Sequence, residues 1–137
     1  MSEITQAFPV QEQALASALD YIEARGRDLR LPGALSLKLR LIVEELFTNT
    51  LRHAPADDSV RLGLACDGRQ LRLSYEDGGP EYNPFAKLDH GQFDQPVPDR
   101  PVGRLGLVLI DGMAEAVSYE RREGRNCIRV VLEQAEP

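Results

Sequence analysis

Positive charge, cysteine and long apolar runs are what this chain has little of. Its 16 Lys and Arg are outnumbered by 22 Asp and Glu, for a formal net charge of −6. Nucleic acid or an anionic membrane surface is therefore a poor main partner. A small phosphate-bearing ligand stays open, because backbone amides and helix dipoles hold such anions without net charge. The two cysteines, Cys66 and Cys127, lie far apart, fit no metal-ligand spacing and sit in strand-like runs. They read as reduced, partly buried thiols. No apolar stretch approaches the length of a membrane span and the N-terminus lacks a signal-peptide pattern, so the expected location is cytoplasmic. Tryptophan, repeats and low-complexity tracts are also missing. What is present is an ordinary globular composition over 137 residues, which suits one domain with one hydrophobic core, spanning residues 1–137.

Along the chain, residues 4–10 read as a short strand closed by Pro9. Residues 11–25 have Leu15, Ala18, Leu19 and Ile22 at helical spacing, with Gly26 as the expected stop. Residues 34–54 form the longest predicted helix, with Leu35, Leu39, Ile42, Val43 and Leu46 as its apolar stripe and Pro55 beyond its end. Residues 60–66 and 71–75 alternate as half-buried strands do, joined by a hairpin turn at Asp67-Gly68-Arg69. From 81 to 101 hydrophobics are few and Pro96, Pro98 and Pro101 cluster; a loop of that length in a compact domain is usually a functional lid or a disordered segment. Residues 105–113 read as a third helix, 116–122 and 127–132 as strands around a hairpin turn at Glu123-Gly124-Arg125-Asn126. Hairpins paired with helices predict an α+β fold. The expected architecture is a two-layer sandwich, a mixed but mostly antiparallel sheet covered on one face by about three helices.

Three constellations could carry chemistry. Glu45, Asn49 and His53 recur every four residues on the long helix, so they form one ridge beside the apolar stripe, while Glu44 points to solvent. That ridge is either a solvated helix edge with a Glu45–Asn49 hydrogen bond, or a hard-cation ligand beside a carboxylate that takes a proton. Asp77-Gly78-Gly79-Pro80 follows a strand directly. It is either a plain turn or an aspartate that accepts from an exocyclic amine beside glycines that permit close approach. Gly103-Arg104-Leu105-Gly106 opens an apolar helix. It is either a glycine-rich entry or an anion site of free amides with an arginine added.

In this order the three strings resemble the GHKL ATP-binding superfamily, with its N-box helix, DxG box, lid and second glycine box. Within it, the chain is most similar to the anti-sigma-factor serine/threonine-protein kinases. The matches are Glu45-Leu46-Phe47-Thr48-Asn49-Thr50-Leu51-Arg52-His53-Ala54, Asp77-Gly78-Gly79-Pro80-Glu81-Tyr82-Asn83-Pro84 and Gly103-Arg104-Leu105-Gly106-Leu107-Val108-Leu109-Ile110, with residues 117–126 resembling the family's last hairpin. The resemblance implies the histidine-kinase-like ATPase (Bergerat) fold, with ATP and Mg²⁺ as ligands. It implies Asn49 as the Mg²⁺ ligand, Glu45 as the general base, Asp77 as the reader of the adenine amine and Gly79 as the residue that lets the ring lie close. Gly103, Arg104, Leu105, Gly106 and Leu107 would frame the phosphates beneath a lid at about 85–102. His53 would pack or orient the loop. The second glycine box has one glycine fewer than richer family versions.

The implied function is Mg-ATP-dependent phosphorylation of a serine on a small antagonist (anti-anti-sigma) protein, with sequestration of a regulator such as a sigma factor. A homodimer would fit, and neither nucleic acid nor membrane is an expected partner. The alternative is a nucleotide-dependent switch that sequesters a partner without phosphorylating it, which needs Asn49 and Asp77 but not Glu45. A histidine-kinase catalytic domain ranks lower, because no segment before Leu35 supplies a phosphoacceptor hairpin; a gyrase-like ATPase ranks lower still.

Overall fold

The computed structural model of the chain describes residues 5–54, 58–85, 110, 112 and 114–134. In chain order the elements are β1 (Thr5–Pro9), α1 (Ala14–Asp28), α2 (Gly33–His53), β2 (Ser59–Asp67), β3 (Gln70–Asp77), β4 (Ala116–Arg122) and β5 (Arg125–Glu133). The strands form one sheet in the order β1-β2-β3-β5-β4, and every neighbouring pair is antiparallel. The expected α+β class holds. Among the described residues the sheet is wholly antiparallel rather than mixed. The predicted third helix lies largely outside the described residues; Ile110 and Gly112 within it are helical, and Ile110 is in the core.

Strand alternation builds the inner face of the sheet. Leu62 faces Tyr75 across β2 and β3, and Leu64 faces Leu73. Across β3 and β5, Leu73 faces Val130 and Tyr75 faces Ile128. All of these are buried. The α2 stripe of Leu35, Leu39, Ile42, Val43 and Leu46 packs in the same core, with Phe47 added. Truncating a member such as Ile42 to alanine would cost about 2–5 kcal/mol, since the surroundings relax only partly around the cavity.

Two expectations at the ends of α1 fail. The helix begins three residues later than residue 11, because residues 11–13 form a turn in which Ala14 N donates to Gln11 O. It also runs through Gly26 to Asp28. Gly26 is there for packing: a Cβ on it would lie 3.3 Å from Ser36 Oγ, so the glycine permits α1 and α2 to approach. The stop is Arg30, at φ 58°. Arg30 N donates to Arg27 O and Leu31 N to Gly26 O, the paired bonds that close a helix around a left-handed residue. That position usually takes glycine, so the sequence pointed to the wrong residue.

Both hairpin turns form where expected, but the second is shorter: Arg125 and Asn126, read as turn residues, already belong to β5, where Asn126 pairs with Asp77. Gly68 has φ 63°, and the two-residue link Glu123-Gly124 has φ 53° and 77°, which matches the right-handed twist of the β4–β5 hairpin. Cys66 and Cys127 are free and half-buried.

Candidate functional site

Period-two alternation decides where Asp77 points. It is the last residue of β3 and has the parity of Leu71, Leu73 and Tyr75, so it looks at α2. There Thr50 Oγ1 lies 3.0 Å from Asp77 Oδ2 and 2.5 Å from the Tyr75 hydroxyl. Each hydroxyl has one proton. Donation from Tyr75 to Thr50 and from Thr50 to Asp77 ends on the carboxylate, and the charge favours that order; Leu46 O, 3.0 Å from the Tyr75 hydroxyl, is the other acceptor in reach. Burial pushes the Tyr75 phenol well above its ordinary range, with the nearby Asp77 charge adding to it, so it stays a neutral donor.

The other oxygen of Asp77 is held from the neighbouring strand. Asn126 is the register partner of Asp77 and is only 4% exposed. Its Nδ2 donates to Asp77 Oδ1 at 2.9 Å and to Pro80 O at 2.8 Å. Its Oδ1 accepts from Tyr82 N at 3.0 Å, the Tyr119 hydroxyl at 2.7 Å and Arg121 Nη1 at 3.1 Å. Gly79 N also donates to Asp77 Oδ1, at 3.1 Å. Asp77 thus accepts from Thr50, Gly79 and Asn126. A carboxylate offers about four acceptor positions, which leaves one on Oδ2 for a ligand.

The glycine loop is tied down on both sides. Gly78 N donates to Asp58 Oδ2 at 2.6 Å, and Asp58 faces Arg125 at 3.8 Å. Arg125 also reaches Glu76 at 3.2 Å and Ser59 O at 2.9 Å. A Cβ on Gly79 would meet Ala54 Cβ at 3.1 Å, so the loop packs closely on the end of α2 at this glycine.

Asn49, Thr50, His53, Ala54, Asp77, Gly79, Pro80, Tyr82 and Asn126 line one cleft. Its free volume is about 10 Å³, roughly one water, and two of its lining rings, His53 and Tyr82, meet tilted by 38° with centroids 4.7 Å apart. His53 is exposed, with its ring against that of Tyr82. Glu45 stands one turn before Asn49, half-buried, while Glu44 is exposed. Burial, and then the charge of Glu44, raise the Glu45 carboxyl above its ordinary range, against a lowering by Arg52. Among the described residues no hydrogen bond joins Glu45 to Asn49, and the Asn49 carboxamide has no hydrogen-bond partner. A lone oxygen donor of that kind suits a magnesium ion that takes its remaining ligands from phosphates and water. Gly103, Arg104, Leu105, Gly106, Leu107 and most of the expected lid lie outside the described residues.

Sequence reasoning passed over Thr50 and Asn126, although both left a signal. Thr50 continues the apolar stripe through Val43 and Leu46, and Asn126 has the inward parity of Ile128, Val130 and Leu132. A polar residue at a core position of a helix or strand usually has a specific partner.

Comparison with known proteins agrees with this geometry. Residues 8–132 match the family model described as the histidine kinase-like ATPase domain. No curated protein matches the chain. Among solved structures, a nucleotide-free form of the catalytic domain of histidine kinase ThkA superposes with a TM-score of 0.55 at 12% identity over 100% of both chains. A second nucleotide-free form gives 0.55 at 11% identity over 97% of this chain and 99% of that one. A third gives 0.54 at 11% identity over 98% and 97%.

Proposed function

The chain belongs to the histidine kinase-like ATPase domain family, and from that premise we propose that it is an anti-sigma-factor-type serine-protein kinase. Nucleotide binding comes with the family; the finer reading rests on Glu45. This carboxylate sits half-buried one turn before Asn49, and its raised proton affinity suits a base that takes a proton from a serine hydroxyl. In this reading Asp77 Oδ2 accepts the adenine amine with its remaining acceptor position, while Gly79 N and Asn126 hold the other oxygen. Asn49 would hold Mg²⁺, and a bound Mg²⁺ would offset charge on the transferred phosphoryl group. Gly103, Arg104, Leu105, Gly106 and Leu107 would frame the phosphates, as the family resemblance implies.

The acceptor in this reading is a serine on a small anti-anti-sigma-type antagonist, and the sequestered partner is a sigma factor or similar regulator. The test is a mixture of the chain, labelled ATP and a purified antagonist. Labelled antagonist is expected with wild type and not with Glu45→Ala. Equal transfer by Glu45→Ala would remove Glu45 as the base. A nucleotide-dependent switch is the second reading, favoured by a lining of the Asp77 cleft that does not include Glu45. It predicts that ATP changes partner affinity while no phosphoprotein forms.

A further inference from the structure

We propose that the N-terminal half of α2, through Leu37 and Leu41, is the docking face for the phosphoacceptor protein; this rests on the kinase reading of Glu45. Among the described residues Leu37 and Leu41 are the large hydrophobics left exposed, at 58% and 46%. A single exposed leucine needs no explanation, but these two share a ridge. Positions 37, 41, 45 and 49 step by four along one helix, so the leucines continue the line of Glu45 and Asn49. With a rise of about 1.5 Å per residue, Leu41 stands about 6 Å and Leu37 about 12 Å before Glu45. Packing does not account for them, because α2 buries Leu35, Leu39, Ile42, Val43 and Leu46 on its other side.

The direction of the site selects the occupant. The base-reading carboxylate Asp77 lies against Thr50, in the last turns of α2. A nucleotide anchored there and reaching Asn49 runs towards Glu45 from the C-terminal side. An acceptor hydroxyl that meets Glu45 has to come from the opposite side, so the body of the acceptor lies over the preceding turns, where Leu41 and Leu37 are. A groove of about 320 Å³ adjoins Leu37, lined by Glu23, Arg27, Gly33, Ser36, Leu37 and Arg40. Two guanidinium groups face one carboxylate there, and Arg40 is paired with Glu23. The complementary acceptor surface has an apolar anchor with an acidic rim.

The test uses a purified, unphosphorylated anti-anti-sigma-type protein from the same cell that wild type labels with radioactive ATP. The variants are Leu37→Asp, Leu41→Asp, their combination, and Leu41→Met as the conservative control. The double aspartate variant is expected to raise the KM for the acceptor about tenfold or more, as loss of an apolar anchor does. Its kcat at saturating acceptor, its affinity for Mg-ATP and its sedimentation should match wild type, and Leu41→Met should behave as wild type. An unchanged KM overturns the docking face. So does a change of oligomeric state in the variant, which would make this face a contact between copies of the chain. Failure of wild type to label any such acceptor is a different result: it removes the kinase reading, and this proposal with it.

Discussion

Replacing Asn126 by alanine should loosen the site and the fold together, and the structure allows the size to be worked out. The side chain makes five hydrogen bonds, to Asp77, Pro80, Tyr82, Tyr119 and Arg121. The bond to the Asp77 carboxylate is charge-assisted, worth about 1.5–3 kcal/mol, and those to Pro80 O and Tyr82 N are worth about 1 kcal/mol each. The Tyr119 and Arg121 groups are only half-buried, so water replaces much of what they lose. The expected destabilisation is about 3–5 kcal/mol, a large fraction of the stability of a domain this size. Equilibrium urea unfolding measures it, and a loss below about 1 kcal/mol would refute the role of Asn126 as the hub. A double-mutant cycle with Asp77→Asn isolates the direct pair. If the 2.9 Å contact matters, the two losses should fall short of additivity by about 1–3 kcal/mol. Additive losses would show that Asn126 acts through the loop and not on Asp77. Mg-ATP affinity should fall in the same variant, because Asp77 then keeps only Thr50 and Gly79.

Glu45→Gln should abolish phosphoryl transfer and still raise stability at neutral pH. The folded-state pKa of Glu45 lies above its unfolded value, so the folded chain binds more protons and wild-type stability falls as pH rises through that interval. The gain should be present near pH 7 and vanish below about pH 4, under the ordinary glutamate range; melting curves across pH would contradict this if the gain were greatest in acid. Gly79→Ala should cost about 1–3 kcal/mol and weaken nucleotide binding, because the new Cβ lies 3.1 Å from Ala54 Cβ and the loop has to shift. Unchanged unfolding and calorimetric titration would show that the loop has room. Arg30→Gly should stabilise the chain by up to about 1 kcal/mol by removing a left-handed arginine from the end of α1, and a lower midpoint in urea would count against that geometry.

Much of the fold was legible because burial has a period. The stripe from Leu35 to Leu46 and the alternation of Leu71, Leu73 and Tyr75 put helices on one face of the sheet, and the core is built from those residues. Element ends were less legible, because a stop depends on one backbone angle: Gly26 looked like a terminator and turned out to be a packing residue, while Arg30 took the left-handed position. In the site, Asn49, Asp77 and Gly79 could be named from short strings, since each lies near a recognisable turn or ridge. Thr50 and Asn126 could not, since hydrogen-bond partners 27 and 49 residues away are set by strand register and helix placement.

By itself the sequence determined the chemistry on offer: a carboxylate and an amide one helical turn apart, an aspartate at a strand end, and glycines after it. Only the tertiary structure decided how that aspartate is held. Register set Asn126 opposite Asp77, packing brought Thr50 over it, and together they leave one oxygen position open. It also decided that Gly79 answers to Ala54, and that the ridge of Glu45 and Asn49 continues into two exposed leucines. Local pattern dictates which face a residue occupies; what meets it there depends on how distant segments pack, and short-range periodicity carries no record of that.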